Sequence, residues 1–186
     1  PKGQKDLGLE IKQSNLCCEI NLPTKPLKDI NDPDGEISLC TLSAVNWGAI
    51  RSLEQLENVC DLAVRALDEL LDYQEYPIDA ARRSTMNRRP LGIGIINFAY
   101  WLAKNGTTYQ EPDLQMVDTW TEAWSYYLIK ASNDLAKEKG ACPLSHETKY
   151  GQGITPNQTY KKDVDELIPH VERMDWEGLR EQLKTT

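Results

Sequence analysis

The sequence predicts an α/β fold whose strands belong to a larger sheet. Runs that alternate apolar and polar residues, or are apolar throughout, take turns with runs whose apolar residues recur every three or four positions. Such alternation of strand and helix favours an α/β layer or barrel over a helical bundle. Only three strand-like runs occur, too few to close a barrel. The expectation is therefore a segment of a sheet completed by other strands.

The first strand-like run covers residues 14–20, and Pro23 and Pro26 end it. Asn31-Asp32-Pro33-Asp34-Gly35 is a turn signal. Glu36 to Leu42 then alternates again, with Ile37, Leu39 and Thr41 on one side and Ser38, Cys40 and Leu42 on the other. A helix is expected next. Ser52 and Gln55 have capping-box spacing, Leu56, Val59, Cys60, Ala63, Leu67, Leu70 and Leu71 follow at helical intervals, and Tyr76-Pro77 stops it. Leu91 to Ile96 is apolar throughout and reads as a buried strand leading into a helix over 97–104 that ends near Gly106. The longest helix is predicted over 115–139. Its stripe is Met116, Trp120, Ala123, Trp124, Tyr127, Leu128, Ala131 and Leu135, with Gly140 at the C′ position. Its aromatic residues read as core. The tail from 141 carries more turns and ends in a short helix from Asp175, with Trp176, Leu179 and Leu183 on one face.

Composition narrows the function classes. The 186 residues are 40% hydrophobic and 27% charged, an ordinary globular balance. The net charge of −8 and pI near 4.9 oppose nucleic-acid binding, which needs clustered cations. Arg82-Arg83 with Arg88-Arg89 is the one dense basic run; it reads as solvated surface, with a phosphate or acidic-partner contact as the alternative. No apolar stretch reaches the ~20 residues of a membrane helix. There is no signal-peptide core, and without an initiator Met the chain is expected to begin inside a longer polypeptide. Five cysteines, an odd number without a secretion signal, suit a reducing, cytoplasmic setting. With two His and no CxxC pair, no zinc site is expected. Gly92-Ile93-Gly94 lacks the third glycine of a dinucleotide turn, because position 97 is Asn.

Chemistry concentrates in the first run. On an extended strand residues two apart share a face, so Asn15, Cys17 and Glu19 would project together and Cys18 the other way. A carboxylate beside a thiol disfavours the thiolate by like-charge repulsion. The trio suits a neutral thiol that gives up a hydrogen atom better than a cysteine nucleophile. The carboxylate can take a proton, and the amide can hold a hydroxyl. The competing reading is an ordinary buried Cys17 with Glu19 on the surface. Cys40 lies in the second run, which the turn could bring beside the first. Cys60, on an apolar helix face, and Cys142, in a loop, read as structural.

The segment Ser14-Asn15-Leu16-Cys17-x-Glu19-Ile20, followed by Leu22-Pro23-Thr24, closely resembles the active-site finger loop of class I ribonucleotide reductase large subunits. The likeness continues in order. It takes in Gly35 to Leu42, Leu62 to Asp68 with Asp72-Tyr73-Gln74, Arg88 to Gly94, Ala131-Ser132-Asn133 with Leu135 to Glu138, and Gly140-Ala141-Cys142-Pro143. It is nearest the bacterial and phage type. The resemblance implies a segment of a ten-stranded α/β barrel, helices packed outside, with its finger loop at about 14–24.

By that resemblance Cys17 becomes a thiyl radical and abstracts the 3′ hydrogen of a ribonucleoside diphosphate. Glu19 takes the 3′-hydroxyl proton, Asn15 binds substrate hydroxyls, and Cys40 is half of the dithiol that reduces the 2′ position. The implied partners are a radical-generating, metal-containing small subunit, the remaining large-subunit segments, and thioredoxin or glutaredoxin as reductant. No cofactor is expected on this segment itself, and ATP and deoxynucleotide effectors bind elsewhere in the family. The second redox cysteine falls upstream of Ser14 in the family. The radical-relay tyrosines, the C-terminal cysteine pair and a substrate-phosphate loop fall beyond Thr186, and the regulatory domain is N-terminal. The chain is therefore expected to be a fragment or split part that catalyses only with the rest. The alternatives are a non-catalytic reductase-like module, or a thiol-redox protein in which Cys17 and Cys40 lie within disulfide reach.

Overall fold

A computed structural model describes residues 2–14, 18 and 21–186 of the chain. A short helix α1 (Lys2–Asp6) precedes a long irregular stretch that reaches the first strand, β1 (Leu42–Asn46). Helices α2 (Leu53–Tyr73) and α3 (Asp79–Arg88) follow, then β2 (Gly92–Ile96), α4 (Phe98–Lys104) and α5 (Leu114–Lys139). After two 3₁₀ turns come α6 (Pro156–Thr159), a further 3₁₀ turn and α7 (Trp176–Thr185).

β1 and β2 pair in parallel, Leu42 opposite Gly92 through Asn46 opposite Ile96, with α2 and α3 as the crossover. Parallel pairing needs such a crossover, because a tight turn can only join antiparallel strands. Val45, Ile93 and Ile95 face the helices and join their core. The opposite face carries Leu42, Ala44, Asn46, Gly94 and Ile96, all exposed. Parallel strands are ordinarily buried on both faces, so this is an unclosed portion of a larger α/β sheet, as the strand count foretold.

The helices with a clear stripe form where expected. Ser52 Oγ caps α2 by accepting from Gln55 N–H at 3.1 Å. The Gln55 side chain reaches Arg51 N–H rather than the cap residue's own, a variation on the capping box. α2 and α5 pack along their apolar stripes around Leu56, Cys60, Ala123 and Trp124. Trp47, fully buried just after β1, meets Trp101, Trp120, Trp124 and Phe98 at ring separations of 5.1–5.9 Å, edge-on or tilted. Asp113 caps α5, and Gly140 at φ 90 ends it. Asp175 caps α7, which buries Trp176 and Leu179 against Ile129 of α5.

Three expectations change. The second strand was predicted over Glu36–Leu42 but begins at Leu42. Glu36 instead forms an isolated antiparallel bridge with Lys25, and Ile37 N–H goes to Ala80 O of α3 at 3.3 Å. Ladder bonding to β2 begins only at Thr41 O, which accepts from Gly92 N–H. The first run, 14–20, is not an unbroken strand. Ser14 has no regular structure, and Cys18 has φ 60, a left-handed turn that takes the chain out of an extended path. The shared face expected of Asn15, Cys17 and Glu19 lies outside the described residues. The basic run is not simply solvated, because most of it lies on or just after α3, a helix the sequence pattern did not reveal. Arg83, Arg88 and Arg89 are partly buried and bonded, and only Arg82 is exposed.

Candidate functional site

The site is assembled on the stretch between residues 9 and 42. Thr24 closes its first loop. Its N–H donates to Glu10 O at 3.1 Å, and its hydroxyl accepts from Lys12 N–H at 2.8 Å. Residues 13–23 are thereby held at their base by one buried threonine. Asn15, Cys17 and Glu19 belong to this loop but lie outside the described residues. Cys18, within it, is exposed, and its carbonyl accepts from Asn21 Nδ2 at 3.5 Å.

The next residue begins a second closure. Lys25 and Glu36 exchange two backbone hydrogen bonds of 3.1 Å. Between them lies the predicted turn. Buried Asp32 organises it by accepting Lys28 N–H and Asp34 N–H, each at 2.8 Å. Those two backbone bonds hold its carboxyl below the usual value of 3.8. Gly35 lies so close to Leu27 that a Cβ would approach the Leu27 side chain at 2.6 Å, which requires glycine there.

Helix α3 supports this hairpin at three levels. Ala80 O accepts from Ile37 N–H. Arg83 donates to the carbonyls of Asp32 and Gly35, at 3.3 and 2.8 Å. Arg88 grips Glu36 with Nε and Nη2, both 3.3 Å from Oε2, while Lys25 Nζ is 2.7 Å from Oε1. The Glu36 and Arg88 side chains are 5% and 11% exposed, so this is a buried ion pair. Arg88 also holds Glu147 at 2.9 Å, and its carbonyl receives the Cys142 thiol. Thr24, Glu36 and Arg88 were not singled out as individual site residues. All three stood inside resembling motifs, but nothing local marked their roles.

Cys40 is exposed between these anchors and β1. It lies two residues before β1, outside the strand, so the alternation expected over Glu36–Leu42 does not assign it a sheet face. Cys60 is buried, and burial, with Glu57 nearby, pushes its thiol up to about 12. The Cys142 thiol is raised by burial too. Both fit structural roles. Among the described residues no group of three His, Cys, Asp or Glu side chains could hold a metal ion, and no helix is long and apolar enough to cross a membrane.

At the C-terminal ends of the two strands, Asn97 Nδ2 donates to Asn46 Oδ1 at 3.1 Å, and Lys104 Nζ reaches Gly48 O at 3.3 Å. Asn97 sits at φ 62, a left-handed position that asparagine tolerates.

The family model for the ribonucleotide reductase barrel domain matches residues 4–186. The chain belongs to this family. Among its reductase relatives, the alpha subunit of ribonucleoside-diphosphate reductase 1 from Escherichia coli is 60% identical over 176 residues. The alpha subunit of ribonucleoside-diphosphate reductase from Haemophilus influenzae is 57% identical over 175 residues, and that of Enterobacteria phage T4 is 42% identical over 179. Each match covers 94% of this chain and 23% of the relative. The chain thus spans about a quarter of a reductase alpha subunit, and its unclosed sheet is what one portion of a barrel domain presents.

Proposed function

We propose that this chain is the portion of a ribonucleoside-diphosphate reductase catalytic subunit that carries the radical-bearing cysteine and one thiol of the reducing pair. One observation carries the reading: the finger-loop motif Ser14 to Ile20 and the segments after it occur in family order, inside a family match over residues 4–186. The remaining strands of a ten-stranded barrel, supplied by the rest of the polypeptide, would cover the open face of β1 and β2.

Within that reading, the Cys17 thiyl radical takes the 3′ hydrogen of a ribonucleoside diphosphate. Glu19 accepts the 3′-hydroxyl proton, and Asn15 holds the hydroxyls. The 2′ hydroxyl takes a proton from the thiol pair and leaves as water. Cys40 and a second thiol outside this segment give up two hydrogens in all, one lost in that water and one bonded to C2′, and end as a disulfide. Glu19 returns its proton to the 3′ oxygen, and Cys17 returns its hydrogen to the 3′ carbon. A metal-containing small subunit supplies the radical, and a thioredoxin or glutaredoxin re-reduces the pair. ATP and deoxynucleotide effectors would bind elsewhere on the subunit. A non-catalytic module is not favoured, because the compared relatives are named as reductase subunits.

The test uses the full-length subunit with its small subunit. Cys17→Ser should abolish deoxynucleotide formation. Cys40→Ser should abolish sustained turnover. Full turnover in the Cys17 variant would refute the assignment.

A further inference from the structure

We infer that Glu36 and Arg88 are positioning residues for Cys40. The inference rests on the function proposed above. The place of Cys40 depends on both. Among the described residues, the backbone that carries it is held by Ile37 N–H on Ala80 O of α3 and by Thr41 O on Gly92 N–H of β2. Residues 38–40 span the gap. What sets the first anchor is the lean of the hairpin against α3, and the Glu36–Arg88 pair is the ion pair that joins the two.

Two features separate this pair from ordinary surface charge. Its side chains are 5% and 11% exposed, where an ion pair gives little net stability. Such pairs are best attested as devices that select one arrangement over others. Glu36 is also shared. It takes Lys25 on one oxygen and Arg88 on the other, so the same carboxylate fixes the strand following the finger loop and the strand leading to Cys40. Through Thr24, adjacent to Lys25, the loop base joins this arrangement. One carboxylate thereby ties the loop base at Thr24 and Lys25 to the segment that leads to Cys40. A displacement near 1 Å at a reacting group can cost about a hundredfold in rate.

The experiment uses the full-length subunit with its small subunit and compares Glu36→Gln, Arg88→Met, the double variant and Arg88→Lys. Glu36→Gln and Arg88→Met should each lower kcat by about tenfold or more at unchanged KM for the nucleoside diphosphate. The double variant should lose less than the product of the two single losses, because both remove a shared link. Arg88→Lys should recover most of the loss. The disulfide formed by Cys40 should become easier to reduce by about tenfold against glutathione, about 30 mV, as its two thiols lose their fixed approach. Partial unfolding would lower activity in step with a loss of near-ultraviolet circular dichroism, which should stay at the wild-type level here. Wild-type kcat and equilibrium in Glu36→Gln and Arg88→Met overturn the inference. If Glu36→Gln does not fold, wild-type kcat and equilibrium in Arg88→Met overturn it alone. Cys40→Ser, run alongside, separates the two levels. If it keeps full turnover, the proposed role of Cys40 falls. If it is inactive while the Glu36 and Arg88 variants match wild type, only the positioning role falls.

Discussion

Glu122, on α5, is the clearest place to test how the C-terminal strap is held. Its side chain is 2% exposed. Oε1 accepts from Arg173 N–H at 2.7 Å, Met174 N–H at 3.1 Å and Trp176 Nε1–H at 3.0 Å. Oε2 meets Arg173 Nη1 at 3.0 Å. Glu122→Ala removes all four bonds. Water can reach the exposed Arg173 but not the buried Trp176 indole, so a donor is left unmatched in the core. Each such donor costs about 1–3 kcal/mol and a broken buried ion pair about 3–5, so a loss of about 3–5 kcal/mol is expected. Glu122→Gln is different. Its carbonyl can take the place of Oε1 and keep three of the bonds, losing only the link to a guanidinium that is a quarter exposed. That should cost about 1 kcal/mol. Urea unfolding followed by tryptophan fluorescence gives both values, and amide exchange at Arg173 and Met174 shows whether the strap detaches first. Equal losses in the two variants, or a loss under about 1 kcal/mol in Glu122→Ala, would refute the reasoning.

Three further outcomes are expected. Burial opposes ionisation of Asp68, but hydrogen bonds from Arg89 and Lys139 outweigh it, and Arg89 likewise lowers Asp72; both carboxyls sit below their usual 3.8. Their contribution is present above that value and lost as pH falls through the folded-state values, so Arg89→Met should lower stability at neutral pH and flatten the acid limb of a urea-midpoint titration below about pH 4. An alkylating reagent near pH 8 should modify exposed Cys18 readily and spare Cys60, whose thiol lies near 12, until the chain is unfolded, as peptide mass mapping would show. Gly48→Ala places a Cβ 2.5 Å from Asn97 Nδ2 and 2.6 Å from the Tyr100 ring, so it should break the Asn46–Asn97 bond and cost about 1–2 kcal/mol in urea unfolding, whereas Gly94→Ala, with its nearest contact at 3.8 Å, should be tolerated.

What the sequence could show depended on how locally each feature was encoded. α2, α5 and α7 were legible because each buries an apolar stripe and carries its own cap: Ser52, Asp113 with Gly140, and Asp175. α3 was not. Its buried face is Ala80, Ala81, Ser84 and Thr85, too small and polar to make a stripe, and its arginines act on a distant hairpin. The start of β1 was misread because the alternation from Glu36 onward is real but does not say where a partner strand begins, and that is set by β2, some 50 residues away along the chain. In the candidate site, period two did not place Cys40, because the strand starts only at Leu42. The roles of Thr24 and Glu36 were not legible either, because each depends on a partner remote in sequence: Lys12 and Glu10 for one, Arg88 for the other.

The parallel pair has a consequence for how this polypeptide is made. β1 and β2 pair only with each other among the described residues, so each offers an outer edge. The strands read Leu-Ser-Ala-Val-Asn and Gly-Ile-Gly-Ile-Ile, without a proline or a charge to discourage a foreign strand. Until neighbouring strands dock, those edges invite pairing between copies. A nascent chain at this stage of synthesis carries an aggregation hazard that only its own later folding, or a chaperone, removes.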